Sequence, residues 1–167
     1  MHRDAPADRQ RGLELVAPIR DMWLRERSRL YLVPTAVLAI ARERVRRGDC
    51  DSAIPIMRQA LDDLFEAGQL THAVLAIPLL VEALLERGAE GDVAEAQTAI
   101  DRLANLLAEE GWVLRDIWLL RLRALLARAR GDGVAYRDLA SRYYAMAESL
   151  GLEGHIARAK TMIEALG

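Results

Sequence analysis

Three Gly-Asp dipeptides divide the sequence at nearly even intervals, and this repeat constrains the fold more than any other feature. The dipeptides begin at Gly48, Gly91 and Gly131, so successive ones lie 43 and 40 residues apart. Glycine readily adopts the left-handed conformation that closes a helix, and a neighbouring aspartate or serine caps the next helix. Each dipeptide is therefore expected to join two helices, and the repeat predicts stacked helical hairpins.

Apolar residues recur at helical spacing on both sides of each dipeptide. The pattern predicts three hairpins, at about residues 33–67, 71–109 and 113–150, followed by a capping helix at 153–166. A further helix is predicted over residues 13–30, whereas residues 1–10 are expected to be flexible. The sequence thus predicts an all-α protein of about eight helices, with residues 11–167 in a single domain of antiparallel hairpins.

Some side chains are assigned to the core by the same spacing. One face of the helix after the first Gly-Asp turn carries Ala53, Ile54, Met57, Ala60, Leu61 and Leu64. In the helix after residue 112, the apolar face is expected to include Leu114 and Ile117. The three tyrosines near the carboxyl end, Tyr136, Tyr143 and Tyr144, are expected to pack beneath the capping helix. An exposed aromatic spot is the alternative.

Composition excludes several classes of site. Of the 167 residues 52% are hydrophobic and 29% charged, which is typical of a folded soluble chain. The first residues lack the apolar segment of a secretory signal, so we expect a cytoplasmic location and no membrane span. The single Cys50 excludes an intrachain disulfide, and no two histidines are spaced as ligands on one helix face. No metal and no cofactor are therefore expected.

Charge is unevenly distributed along the chain. Residues 1–47 contain eleven arginines and six acidic residues, a net charge of +5, whereas residues 48–167 have a net charge of −7. Nucleic acid is nevertheless not expected as a partner, because the aromatic residues that accompany basic ones in nucleic-acid modules are missing. Arginine makes up 22 of the 23 basic residues, a bias typical of GC-rich genomes such as those of actinobacteria.

The first repeat resembles the tetratricopeptide repeat. The run Gly48-Asp49-x3-Ala53, followed by Met57, Ala60 and Leu61, is similar to the second half of that motif. The period of 40 to 43 residues exceeds the usual 34, so the helices are longer than standard. The resemblance implies a short right-handed solenoid. The tail at residues 150–159 is similar to the carboxy-terminal arrays of actinobacterial class III adenylyl/guanylyl cyclases fused to a STAND-type ATPase, and of LuxR-type regulators.

In such an array the first helix of each hairpin lines a concave face. The groove positions of the family correspond here to Arg42, Arg46, Glu82, Glu86, Trp118, Arg121 and Arg128. Arginine forks bind carboxylates and tryptophan supplies apolar contact area. The resemblance therefore implies a non-enzymatic interaction or sensor module of a bacterial signalling or transcription-regulatory protein. It would bind a peptide, a small effector or a partner domain, such as a cyclase or ATPase domain of the same protein.

Other interpretations of these residues stay open at this point. The arginines and glutamates of successive helices would also suit solvated ion pairs of little energetic value, with Trp118 in the core. A homo-oligomeric scaffold, such as a homodimer, would use the large apolar side chains Leu75, Leu79, Leu85, Trp112 and Trp118. An all-α enzyme is a third alternative, but no acid, base and nucleophile converge by spacing.

Overall fold

The structure, a computed structural model, describes residues 32–106 and 112–164, which form seven helices and no strand. The helices are α1 (Leu32–Arg46), α2 (Cys50–Glu66), α3 (Leu70–Arg87), α4 (Asp92–Asn105), α5 (Val113–Ala129), α6 (Gly133–Ser149) and α7 (Glu153–Glu164). The all-α class is confirmed. The described residues contain seven helices where the whole sequence predicts about eight, and the helix predicted over residues 13–30 lies outside them, as do residues 1–10.

The chain divides into two compact units, residues 1–72 and 73–167. In the first unit α1 packs against α2. All six apolar residues predicted to face inward from α2 are buried. The spacing of apolar residues in α2 is therefore sufficient to identify its packed face.

Helix α5 is the central element of the second unit. It packs against α4 and α6, and α6 in turn packs against α7. Ile117 and Ala124 are buried on one side of α5, and Leu119, Leu122 and Leu126 are buried on the opposite side. Because α5 is enclosed on two sides, it can present side chains to several neighbours at once.

One residue predicted on the inner face of α5 is exposed. Leu114 lies in the first turn of the helix and is 37% exposed, whereas Ile117 in the next turn is fully buried. The inward assignment is therefore wrong for Leu114. Spacing identifies the face of a helix, but it does not show where along the helix packing begins.

The tyrosines of α6 pack beneath the terminal helix, as predicted. Tyr136 and Tyr143 are buried with Ala159 and Met162 of α7. The hydroxyl of Tyr136 donates a hydrogen bond to the Met162 carbonyl at 2.9 Å. This bond satisfies the polar end of a buried ring, which is the usual condition for burying a tyrosine. Tyr144 is partly buried against the same cluster.

Two of the three Gly-Asp turns have the expected geometry. Gly48 and Gly131 adopt φ values of 82° and 76°, in the left-handed region that disfavours residues with a Cβ. Asp49 accepts a hydrogen bond from the Ser52 amide at 3.2 Å, and Asp132 accepts one from the Ala135 amide at 2.9 Å. Both aspartates cap the helix that follows, as predicted.

The Gly91-Asp92 turn differs from this prediction. Helix α3 ends before Gly88, and Asp92 is the first residue of α4 rather than its cap. The Asp92 carboxylate accepts hydrogen bonds from the Ala89 amide at 2.8 Å and from Nε and Nη2 of Arg87 at 2.9 and 2.6 Å. The connection here, residues 88–91, is longer than the other two, so this aspartate reaches back across its own loop.

Candidate functional site

Three of the predicted groove residues meet in the second unit. Glu82 of α3 forms an ion pair with Arg121 of α5, and the Arg121 guanidinium lies 5.2 Å from the centroid of the Trp118 ring. The side chain of Arg121 is 11% exposed and that of Glu82 is 32% exposed. Arg121 and Glu82 thus pair with each other, as in the alternative interpretation, but the pair is partly shielded from water rather than fully solvated.

The contacts continue from α5 to α7 and α6 through His155. Its ring meets that of Trp118 edge to face, with centroids 5.1 Å apart. Its Nδ1 atom lies 2.7 Å from the Tyr143 hydroxyl. Glu82, Arg121, Trp118, His155 and Tyr143 therefore form one continuous set of contacts, here called the inter-helix network. It joins four helices of the second unit.

Local structure explains how these side chains converge. Trp118 and Arg121 are three residues apart on α5, a spacing that places both on one helix face. His155 lies in the first turn of α7, where its amide donates a hydrogen bond to the Leu152 carbonyl at 2.9 Å. The start of α7 therefore fixes the backbone position from which the imidazole extends.

Burial and nearby arginines perturb two titratable groups of the network. Burial, followed by the positive charges of Arg158 and Arg121, lowers the pKa of His155 below its ordinary value of 6.5, and Glu82 partly opposes this effect. Burial raises the pKa of the Tyr143 phenol above 10.0, and the same two arginines partly offset that increase. Near neutral pH the hydrogen bond between them therefore joins a neutral imidazole and a protonated phenol.

Two donors of the network have no hydrogen-bond acceptor among the described residues. They are Nε1 of Trp118 and Nε of Arg121, both buried. A buried donor left without an acceptor costs about 1–3 kcal/mol. Neither group can accept a hydrogen bond, so only an acceptor, such as a carboxylate or carbonyl oxygen, can satisfy them.

The other predicted groove residues are exposed side chains of α1, α3 and α5. Arg42 and Arg46 belong to α1 in the first unit and are exposed. Arg46 lies 3.8 Å from Glu43 of the same helix. In the second unit, Glu86 is exposed one turn after Glu82, and the exposed Arg128 stands over the Tyr136 ring at 5.8 Å from its centroid. The assignment of these residues to a groove stays a prediction.

Two members of the network were not among the predicted site residues. The sequence predicts Tyr143 in the core, with an exposed aromatic spot as the alternative, and from sequence His155 is only one of the histidines that are not spaced as metal ligands. No local pattern in the sequence connects them, because they lie on different helices and meet only when α7 packs against α6. Within the part of the chain that the structure describes, no three His, Cys, Asp or Glu side chains are grouped to hold a metal ion.

Within residues 32–106 and 112–164, no helix combines the length and apolar character needed to cross a membrane. Comparison with protein-family models, with curated proteins and with solved structures yields no match in any of the three.

Proposed function

We propose that this chain is a tetratricopeptide-like interaction module that binds an acidic peptide or partner domain on the face formed by α3, α5 and α7. The supporting observation is that side chains of alternate helices touch: Glu82 of α3 meets Arg121 of α5, and Trp118 of α5 meets His155 of α7. In a solenoid of hairpins the first helices of successive hairpins lie side by side. With α3 and α5 as the first helices of successive hairpins, contacts between their side chains are expected on a concave face.

The chemistry of the network favours a partner that carries carboxylates. The positive charges of Arg158 and Arg121 lower the pKa of His155, and the one negative charge of Glu82 raises it. Arginine presents its donors as a planar fork that matches a carboxylate.

An apolar contact would accompany the charged one. Leu75 of α3 is 47% exposed, and Leu79 lies one turn closer to Glu82 on the same face of the helix. Adjacent apolar side chains at a surface mark interaction sites when they form a continuous patch. We therefore propose a partner segment that combines acidic and large apolar residues.

The resemblance of the tail to regulatory arrays suggests where such a module would act. We propose a role in a bacterial signalling or transcription-regulatory protein, in which a nucleotide cyclase or ATPase domain of the same protein is the partner. The module itself would be non-enzymatic, as the sequence predicts.

Peptide binding provides the direct test. Fluorescent peptides that contain Asp or Glu with Leu are titrated against the full chain by anisotropy, together with counterparts in which Asn or Gln replaces each acidic residue. We expect the acidic peptides to bind at least tenfold more tightly, and Arg121→Met to abolish this preference. The exposed Arg142→Gln is the control for loss of one positive charge, since Arg142 lies on α6 outside the network. Equal binding of both peptide sets would contradict the proposal, provided that circular dichroism shows each variant to be folded.

Leu75 also supports the second candidate function, a homo-oligomerising scaffold. Self-association through α3 would cover this side chain, which is 47% exposed. Light scattering at several concentrations tests the idea, with Leu75→Gln as the variant. A mass that rises with concentration and returns to that of the monomer in Leu75→Gln would support the scaffold. A monomer at all concentrations would eliminate it.

A further inference from the structure

Helix α7 has a limited apolar anchorage. Only Ala159 and Met162 are buried among its residues, and Ile156 is partly buried. The helix has 12 residues, a length at which isolated helices are marginal in water. Its attachment therefore depends on a few contacts, including the bond from Tyr136 to the Met162 carbonyl and those of His155.

A change in the charge of His155 would affect the packing of α7 against its neighbours. Its ring touches Trp118 of α5 and Tyr143 of α6. The charged groups that act on it are Arg121 of α5, Arg158 of α7 and Glu82 of α3. A protonated imidazole would add a positive charge beside two arginines, with Glu82 the only opposing charge among these groups.

We propose that His155 is a proton-sensitive latch: the neutral imidazole holds α7 against α5 and α6, and its protonation releases α7. The latch does not require a partner and can be tested on the free chain. Release of α7 would uncover Trp118 and Tyr143, so the latch would also alter the face proposed above for binding.

The direction of the effect follows from linkage. Burial and the two arginines lower the pKa of His155 when α7 is packed, relative to the ordinary value of 6.5 in a released helix. A released α7 therefore binds a proton more readily than a packed one. The packed state keeps its full stability above about pH 6.5 and loses stability as the pH falls through that value toward the lowered pKa.

Amide hydrogen exchange measured along the chain tests the latch. The full chain is compared at about pH 7.5, 6.5 and 5.5, with rates corrected for the intrinsic effect of pH. We expect α7 to lose protection on acidification, because the released helix binds a proton more readily than the packed one. The protection of α5 in the same molecule is the internal reference and should stay constant.

Three variants distinguish the latch from general acid sensitivity. His155→Gln should remove the pH dependence of α7, whereas His72→Gln, at the other described histidine, should retain it. Arg158→Gln removes an exposed positive charge that acts on His155, so it should reduce the dependence without unfolding α7. Constant protection of α7 in the wild type, or an equal loss in His155→Gln, would overturn the proposal. If His155→Gln leaves α7 unprotected at every pH, Arg158→Gln decides, and an unchanged pH dependence in that variant would refute the latch.

Discussion

The ion pair between Glu82 and Arg121 should couple α3 to α5 more strongly than a surface pair would. A double-mutant cycle with Glu82→Gln, Arg121→Met and the double variant isolates this coupling. The two partners differ in burial, since 32% of the Glu82 side chain is exposed but only 11% of the Arg121 side chain. Leaving the buried arginine without its partner should therefore destabilise the protein more than leaving the carboxylate without its partner.

The magnitudes follow from that asymmetry. Removing one partner of a fully buried pair costs 3–5 kcal/mol, and partial hydration through Glu82 reduces this to about 2 kcal/mol for Glu82→Gln. Arg121→Met leaves a carboxylate that water can reach and loses the contact with Trp118, for about 1 kcal/mol. The double variant leaves no unpaired charge and should also cost about 1 kcal/mol. The coupling is then about 2 kcal/mol.

Urea unfolding followed by circular dichroism at 222 nm measures each corner of the cycle. The control is the same cycle on Asp138 and Arg142 of α6, a pair at 3.5 Å in which each side chain is 64% exposed. Exposed pairs one helical turn apart are worth about 0.3–0.5 kcal/mol. A coupling for Glu82 and Arg121 no larger than that of the control would refute the argument from burial.

Three further changes probe other parts of the structure by thermal unfolding. Asp92→Ala should cost about 2–3 kcal/mol, because the residue is 2% exposed and its carboxylate accepts hydrogen bonds from the Ala89 amide and the Arg87 guanidinium. A melting temperature within a degree of wild type would contradict this. Gly131→Ala should cost about 1 kcal/mol at its φ of 76°, whereas Gly133→Ala, at ordinary φ and in open space, should not destabilise the chain. The raised pKa of Tyr143 lets the folded state keep a proton that the unfolded state has lost. Stability should therefore fall as the pH rises above about 10, and Tyr143→Phe should flatten this decline.

The helices of this protein are predictable from sequence because their signals are local. The inward face of α2 follows from the spacing of residues such as Ile54 and Leu61, which a single helix displays by itself. The caps at Asp49 and Asp132 likewise depend on residues within the same turn. Asp92 shows the limit of this reasoning, since its role depends on the length of the loop before it.

The candidate site is less predictable because its parts come from helices distant in sequence. Glu82 and Arg121 lie 39 residues apart. The prediction that both line one groove depends on how the tetratricopeptide positions are aligned with this sequence. His155 and Tyr143 meet only through the packing of α7 against α6. Contacts between different helices produce no periodic pattern in the sequence. The position of a histidine in the first turn of a helix therefore does not show which side chains it contacts.

Because Arg121 and Trp118 share one face of α5, a partner bound at Arg121 would also act on His155. A bound carboxylate would oppose the positive charges of Arg121 and Arg158 and raise the lowered pKa of the imidazole. By reciprocity, protonation of His155 must then strengthen binding of that carboxylate by the same factor. Acid would release α7 in the free chain, whereas an anionic partner would stabilise the protonated network and hold α7 in place. The face formed by α3, α5 and α7 would thus respond to protons and to its partner together, with α5 carrying the coupling.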